Sequence, residues 1–281
     1  MPTDGPIRID IAAVLASKLG GKARFIPSFA VRSLARLIHQ DELNALLESN
    51  YPKRGVEFCA GVLRDLGITV DVRGADRLPA DGRALFVSNH PLGGLDGIAT
   101  AAWLGERYGE GIKLVVNDLL MAVEPLRDCF VPVNKHGAQS RATRARLDEV
   151  MAGDDPVVMY PAGLVSRLHD DGTISDLKWH KMFVAKAIEN HRDIVPIHFS
   201  SHNSSRFYTT ARRRSLLGLK FNIEMLLLPG EVFRKRGASF TISVGRPIKW
   251  QTLGAIAEAR ATADAIREKV YSIPQTFITK Q

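Results

Sequence analysis

Val87-Ser88-Asn89-His90-Pro91-Leu92-Gly93-Gly94-Leu95-Asp96-Gly97 is the stretch on which the fold turns. An apolar run, Ala84–Val87, precedes it and is short enough for a buried strand. The Pro and Gly residues that follow punctuate a turn. Ile98–Leu104 then has the composition of a helix. The pattern predicts a strand-loop-helix unit with His90 at the strand's carboxyl end, where open α/β sheets place their ligands. A His and an Asp in one tight loop suit general-base chemistry. The carboxylate accepts from one ring nitrogen and leaves the other to take a proton. The competing local reading is a satisfied Asn-His-Pro turn in which Asp96 only caps the next helix.

Working outward, strands and helices alternate. Ile68–Val72 alternates as a strand, and Lys113–Val116, Phe130–Val133, Pro156–Tyr160 and Ile194–Phe199 are further apolar runs. Helical stretches are expected up to Tyr108, near Leu119–Val123, over Ala138–Met151 and over Lys178–Glu189. The tail adds a strand at Phe240–Val244 and a helix over Leu253–Val270. This order predicts an α/β fold with a mixed, largely parallel central sheet flanked by helices. Residues 1–67 are helical in pattern and 68–281 form the α/β domain. Within the first segment, Phe29, Val31, Leu34, Leu37 and Ile38 are interleaved with Arg32 and Arg36. Such a basic amphipathic helix packs on a core through its apolar stripe, or lies in a membrane interface.

The 281 residues are ample for a large core, and 45% hydrophobic with 24% charged residues is ordinary for a globular chain. The formal net charge of +8 favours phosphate-bearing or anionic partners. Aromatics are only 7% and never interleave with basic runs, which argues against a nucleic-acid partner. Cys59 and Cys129 have neither disulfide-framework nor metal-ligand spacing, so no metal is expected. No secretory signal pattern opens the sequence, and no apolar run reaches the length that spans a bilayer. The expectation is a cytoplasmic protein, peripheral on the inner face of the cell membrane. Arg206, Arg212, Arg213, Arg214, Lys220, Arg234, Lys235 and Arg236 make the C-terminal third strongly basic, either as a solvated face or as a docking surface for anionic lipid or an acidic carrier.

Three more loops follow strands and are candidates to converge on His90: Val131–Gly137, Tyr160–Arg167 and the Ile194-Val195-Pro196-Ile197 strand with its exit. With the Asn89-His90 loop, this ordered set resembles the glycerolipid acyltransferase superfamily of the lysophosphatidate acyltransferase type. That superfamily carries an Asn-His block with a downstream Asp, a hydrophobic-to-basic block, a Phe-Pro-Glu-Gly-Thr-Arg-Ser block and an Ile-Val-Pro-Val strand. The wording from Asn89 to Gly97, Val131 to Gly137 and Tyr160 to Arg167 is most similar to a bacterial branch labelled haemolysin-related acyltransferases, some of which are implicated in acylating lyso-amino-acid lipids.

The resemblance implies an O-acyltransferase, 1-acylglycerol-3-phosphate acyltransferase-like, in membrane lipid biosynthesis. It would move a fatty acyl group from acyl-CoA or acyl-carrier protein to a lysolipid hydroxyl, with no cofactor beyond that co-substrate. His90 is then the catalytic base and Asp96 its orienting carboxylate. Substrate contacts fall to Asn89, Lys135, Gly163, Leu164, Ser166 and Arg167, with Gly163 and Leu164 amides facing the oxyanion and Lys135 and Arg167 facing an anion. Lys135 as a solvated lysine and Arg167 as a structural salt bridge are the plainer readings of those two.

Two departures stand out. Five residues separate His90 from Asp96 where the family has four, and Gly93-Gly94 can absorb the extra one. The third block has Ala162 for Glu and Leu164-Val165 for Thr-Arg, which sets a lyso-amino-acid lipid beside lysophosphatidate as acceptor. The rivals are a membrane-surface lipid-binding protein with a degenerate site, and a thioester or lipid hydrolase. The sequence has no Gly-x-Ser-x-Gly elbow.

Overall fold

The computed structural model describes residues 5, 7–133, 141–219 and 221–278. Helices α1 (Ile11–Leu19), α2 (Ser28–Leu37), α3 (Gln40–Ser49) and α4 (Gly55–Asp65) come first. Strands β1 (Thr69–Arg73) and β2 (Ala84–Ser88) follow, then helix α5 (Leu95–Tyr108) and strands β3 (Lys113–Asn117) and β4 (Phe130–Val133). Next are α6 (Arg141–Ala152), β5 (Val157–Met159), a small hairpin of β6 (Arg167–Leu168) and β7 (Ile174–Ser175), α7 (Met182–Glu189) and β8 (Asp193–Ser200). The last part holds α8 (Ser205–Leu216), α9 (Leu228–Arg234), β9 (Ser239–Val244), α10 (Ala259–Ser272) and α11 (Gln275–Ile278).

Among the described residues, seven strands form one sheet in the order β1-β9-β8-β2-β5-β3-β4. The run β8-β2-β5-β3-β4 is parallel, β8 and β9 are antiparallel, and β1 is parallel to β9. The sheet is therefore mixed and largely parallel, as the strand-helix alternation predicts. Strand β2 lies between β8 and β5, and all five side chains of Ala84–Ser88 are buried. A strand buried on both faces reads as a continuous apolar run.

Period-2 alternation divides the two faces. Ala84, Phe86, Val158 and Leu114 pack with α4 and α5, while Leu85, Val87, Val157 and Met159 pack with α6, α7 and α10. The result is three layers: helices, sheet, helices. Helix α4 belongs to one outer layer through buried Val56, Phe58, Cys59 and Val62. The helical N-terminus is thus divided by burial, since α1 and α2 contain no fully buried residue.

Several boundaries differ from the sequence pattern. The segment expected as a helix near Leu119 is a 3₁₀ turn over Asp118–Ala122. Helix α7 starts at Met182 because Trp179 and His180 are already committed: the Trp179 indole donates to Asp176, and the His180 amide donates to the Pro161 carbonyl. Likewise α10 begins only at Ala259, after two short 3₁₀ turns. The hairpin β6-β7 and helices α8 and α9 are additional to the elements expected from the sequence, although α8 buries a helical stripe of Phe207, Tyr208 and Ala211.

The edge opposite His90 is tied by Arg192, which is buried just before β8. Its guanidinium donates to five carbonyls: Met151 (2.8 Å), Val150 (3.1 Å), Gly153 (2.5 Å), Asp155 (2.7 Å) and Ala84 (3.3 Å). Burial lowers its pKa to about 10, so it remains charged at neutral pH. These bonds close the C-terminus of α6 and join the entries of β2, β5 and β8. Arg192→Met keeps the apolar stem but leaves those carbonyls unsatisfied. It is expected to lower unfolding free energy by about 3–5 kcal/mol in urea titrations, while the far edge of the sheet, and activity per folded molecule, stay unchanged.

Candidate active site

His90 leaves the carboxyl end of β2, and its loop returns into the first turn of α5. The side chain of Asp96 is completely buried there, and His90 retains 18% exposure. His90 Nδ1 lies 3.0 Å from Asp96 Oδ2. The second Asp96 role is local: Oδ2 accepts the amides of Leu92 (2.9 Å) and Gly93 (3.3 Å), and Oδ1 accepts that of Gly97 (2.9 Å). Asp96 thus faces His90 and ties the loop to the first turn of α5, but it is not the helix cap: the N-cap position is Gly94, with no side-chain cap hydrogen bond. Burial pushes the Asp96 pKa up, but the His90 charge and hydrogen bond and the two loop amides outweigh it, and the net shift is downward.

The additional residue in the His–Asp spacing is taken up at Gly93, whose φ is +79°. That left-handed conformation is strained for any side chain. A Cβ there would also collide with the Val165 side chain and reach 3.0 Å from Leu228.

Three more groups fix the His90 loop. Asn89 Nδ2 donates to the Phe199 carbonyl (3.0 Å), and the Phe199 amide donates back to Asn89 Oδ1 (2.7 Å), so the loop is laced to the end of β8. Asn89 is a brace, with both halves of its amide engaged inside the protein. Tyr160, at the exit of β5, covers the imidazole with ring centroids 4.3 Å apart. Burial holds its phenol well above the ordinary range, so it stays neutral. The third group is Asp176, which no local sequence signal singles out. Its Oδ1 accepts the His90 amide (3.1 Å) and the Ser166 hydroxyl (2.6 Å), and its Oδ2 accepts the Trp179 indole (2.9 Å). The Ser166 amide in turn donates to the His90 carbonyl (2.9 Å). Asp176 is buried, which pushes its carboxyl pKa up in spite of these donors.

The other expected substrate contacts are redistributed. Arg167, expected to face an external anion, instead buries its guanidinium on Glu224 (2.9 Å) and on the Val165 carbonyl (2.8 Å). Glu224 is fully buried and also faces Arg214 (3.0 Å). The structure thus supplies Arg167 with an internal anion, and the salt-bridge reading of this residue is the correct one. Ser166 points to Asp176, as given above. The Gly163 amide closes a turn on the Tyr160 carbonyl (2.9 Å), which removes it from the oxyanion role. Leu164 is half-buried on the same turn. Lys135 lies outside the described residues. His198, the other strand histidine, is interior to β8, and burial lowers its pKa to about 4, so it is neutral.

Known proteins share this chain's sequence along nearly its whole length. A family model described as acyltransferase matches residues 13–278. A lyso-glycine lipid O-acyltransferase of Phocaeicola vulgatus is 42% identical over 273 residues, covering 97% of this chain and 98% of that protein. A protein of the same name from Bacteroides thetaiotaomicron is 40% identical over 273 residues, covering 97% of this chain and 100% of that one. Among solved structures, the crystal structure of the 1-acyl-sn-glycerophosphate acyltransferase PlsC from Thermotoga maritima superposes with a TM-score of 0.45 at 13% identity, over 88% of this chain and 93% of that one.

The lowered Asp96 pKa carries a sign that can be measured. A carboxyl whose folded pKa lies below its unfolded value stabilises the fold above the ordinary aspartate range of about 4, and that contribution fades as pH falls through the folded pKa. Asp96→Asn, whose amide nitrogen opposes the loop N–H groups or His90, is expected to be about 2–4 kcal/mol less stable than wild type at neutral pH. The deficit shrinks in acid, as urea titrations at a series of pH values would record. A deficit independent of pH would show that the charge of Asp96 does not hold the loop.

Proposed function

This chain belongs to the acyltransferase family and is an O-acyltransferase acting on a lysolipid acceptor, and we propose that the acceptor is a lyso-amino-acid lipid of the glycine type rather than lysophosphatidate. The observation that carries the chemistry is the His90–Asp96 pair at 3.0 Å. With Nδ1 turned to Asp96, the opposite nitrogen, Nε2, is the one that meets substrate. In our mechanism Nε2 takes the proton of the acceptor hydroxyl as its oxygen attacks the thioester carbonyl. The tetrahedral adduct collapses, the carbon–sulfur bond breaks, and the imidazolium returns the proton to the departing thiolate. Asp96 holds the tautomer and stabilises the imidazolium. No enzyme nucleophile is needed, because the acceptor supplies it. The Leu164 amide is our candidate donor to the oxyanion.

Two observations support the choice of acceptor. Relatives that match nearly the whole chain at 40% and 42% identity are named for a lyso-glycine lipid. In addition, the cation that would meet a glycerol phosphate from the third block, Arg167, is neutralised internally by Glu224. The thioester donor in this proposal is acyl-CoA or acyl-carrier protein.

We also place the protein at the anionic inner face of the cell membrane. No helix among the described residues is long and apolar enough to cross a membrane. The α1–α2 region instead exposes Phe25 and Phe29 beside Lys18, Lys22, Arg24, Arg32 and Arg36, the composition of an interfacial element.

The proposal is tested with purified wild type and His90→Ala. Each is given acyl-CoA or acyl-carrier protein with lyso-glycine lipid, lyso-ornithine lipid, lysophosphatidate or no acceptor, and products are read by mass spectrometry. Wild type is expected to acylate lyso-glycine lipid, and His90→Ala to be slower by about 10²- to 10⁴-fold. Equal turnover of lysophosphatidate overturns the acceptor assignment. Release of free fatty acid without any acceptor makes the protein a hydrolase instead.

A further inference from the structure

Helix α8 ends in a turn, Leu216-Leu217-Gly218-Leu219, and Phe221 lies two residues further on. Four large apolar side chains here face solvent, at 79% exposure for Leu216, 73% for Leu217, 46% for Leu219 and 69% for Phe221. Gly218 at φ +65° reverses the chain between them. Isolated exposed apolar residues need no explanation, but a contiguous set marks a surface that meets something else.

The turn is not loosely hung. Arg214 donates to the Leu219 carbonyl (2.9 Å) and faces buried Glu224 (3.0 Å), and Glu224 is also the partner of Arg167 (2.9 Å). This Arg214–Glu224–Arg167 chain connects the apolar turn to the third block. Below it, Val165, Phe207 and Tyr208 form a small core with Leu228 packed against them, and Gly93 of the His90 loop abuts Val165 and Leu228. The exposed turn is therefore mounted on the wall of the active site. Its own helix adds Arg206 and Arg213, both exposed and without an ion pair among the described residues.

We propose that the apolar side chains of Leu216, Leu217, Leu219 and Phe221 insert into the interface of an anionic bilayer and set the mouth of the active site against the membrane, an inference that rests on the acceptor being a membrane lipid. Side chains that project at 79% and 73% exposure enter a fluid interface; they do not line a groove that receives a partner's side chain. The adjacent arginines complement anionic headgroups, within reach of a surface potential that decays over about 10 Å at 0.1 M salt. Apolar insertion and basic attraction together are the two terms that hold an interfacial segment. The lysolipid would then reach His90 without leaving the bilayer surface.

The test uses the full chain with vesicles of phosphatidylglycerol and phosphatidylethanolamine, and with detergent micelles carrying the same lysolipid. The triple variant Leu216→Ser/Leu217→Ser/Phe221→Ser is expected to bind the vesicles at least about tenfold more weakly. It should keep wild-type turnover in micelles and the wild-type melting temperature. Phe221→Trp retains the apolar character and reports insertion as the difference from wild type, whose Trp103, Trp179 and Trp250 set the background, by a blue shift with anionic vesicles and quenching by brominated lipid. Unchanged vesicle binding of the triple variant, or an indole emission of the Phe221→Trp variant that is indifferent to vesicles, overturns the proposal. So does a loss of micelle turnover or of acyl-carrier-protein binding with vesicle binding intact, which would make the turn an acceptor wall or a protein-docking surface. Inactivity of wild type in both assays strikes the acyltransferase reading alone, because vesicle binding is scored separately.

Discussion

A buried carboxylate in the first turn of α5 is the constraint from which the site is built. Asp96 has no exposure at all, and an isolated charge in that position would be untenable. It is held ionised because its oxygens receive the amides of Leu92, Gly93 and Gly97 and stand 3.0 Å from His90. The N-terminal end of α5 adds a favourable dipole. The same donors that make the charge tolerable also fix the loop that carries His90. Structure and chemistry are therefore inseparable at this residue: the loop cannot fold around Asp96 without presenting His90 to it.

A second buried carboxylate, Glu224, acts in the opposite direction. By pairing with both Arg167 and Arg214 it removes from the solvent a cation that the sequence alone offered as a substrate contact. Burial lowers the Arg167 pKa while the Glu224 charge raises it, and the net shift is downward, yet the guanidinium is charged and occupied. The third block, which lacks Glu and Thr-Arg, is part of a packed wall. The His90 loop and the Arg167 wall are held by different carboxylates on different elements, Asp96 in α5 and Glu224 before α9.

This separation explains which parts of the molecule were legible in the sequence. The sheet strands and the His90 loop announce themselves through patterns a few residues long: continuous apolar runs, Gly-Gly, and a His and Asp within one turn. Gly93-Gly94 offers room for the additional residue between His90 and Asp96, and the structure places Gly93 at φ +79°. What stayed hidden depends on partners far away in the chain. Asp176 reaches His90 across 86 positions, Glu224 reaches Arg167 across 57, and Phe199 reaches Asn89 across 110. No periodicity encodes such pairings. Arg167 could be assigned to a substrate or to a salt bridge only once Glu224 was placed, and Gly163 to an oxyanion hole only until its amide was found on Tyr160.

The imidazole is held at one edge and one face, and its backbone is fixed behind it. Asp96 occupies the Nδ1 edge, Tyr160 covers one face, and Asp176 and Ser166 hold the backbone through the amide and carbonyl of the same residue. In the proposed reaction a ring fixed in this way loses little entropy on reaching the transition state. The confinement comes from β2, β5, β8 and the β6-β7 hairpin at once, and this is possible because β5 returns between β2 and β3 instead of extending the sheet outward. That crossover brings Tyr160 beside His90 and carries Ser166 and Asp176 behind it. Strand order, more than any single loop, is what fixes the orientation of this one histidine at a strand end.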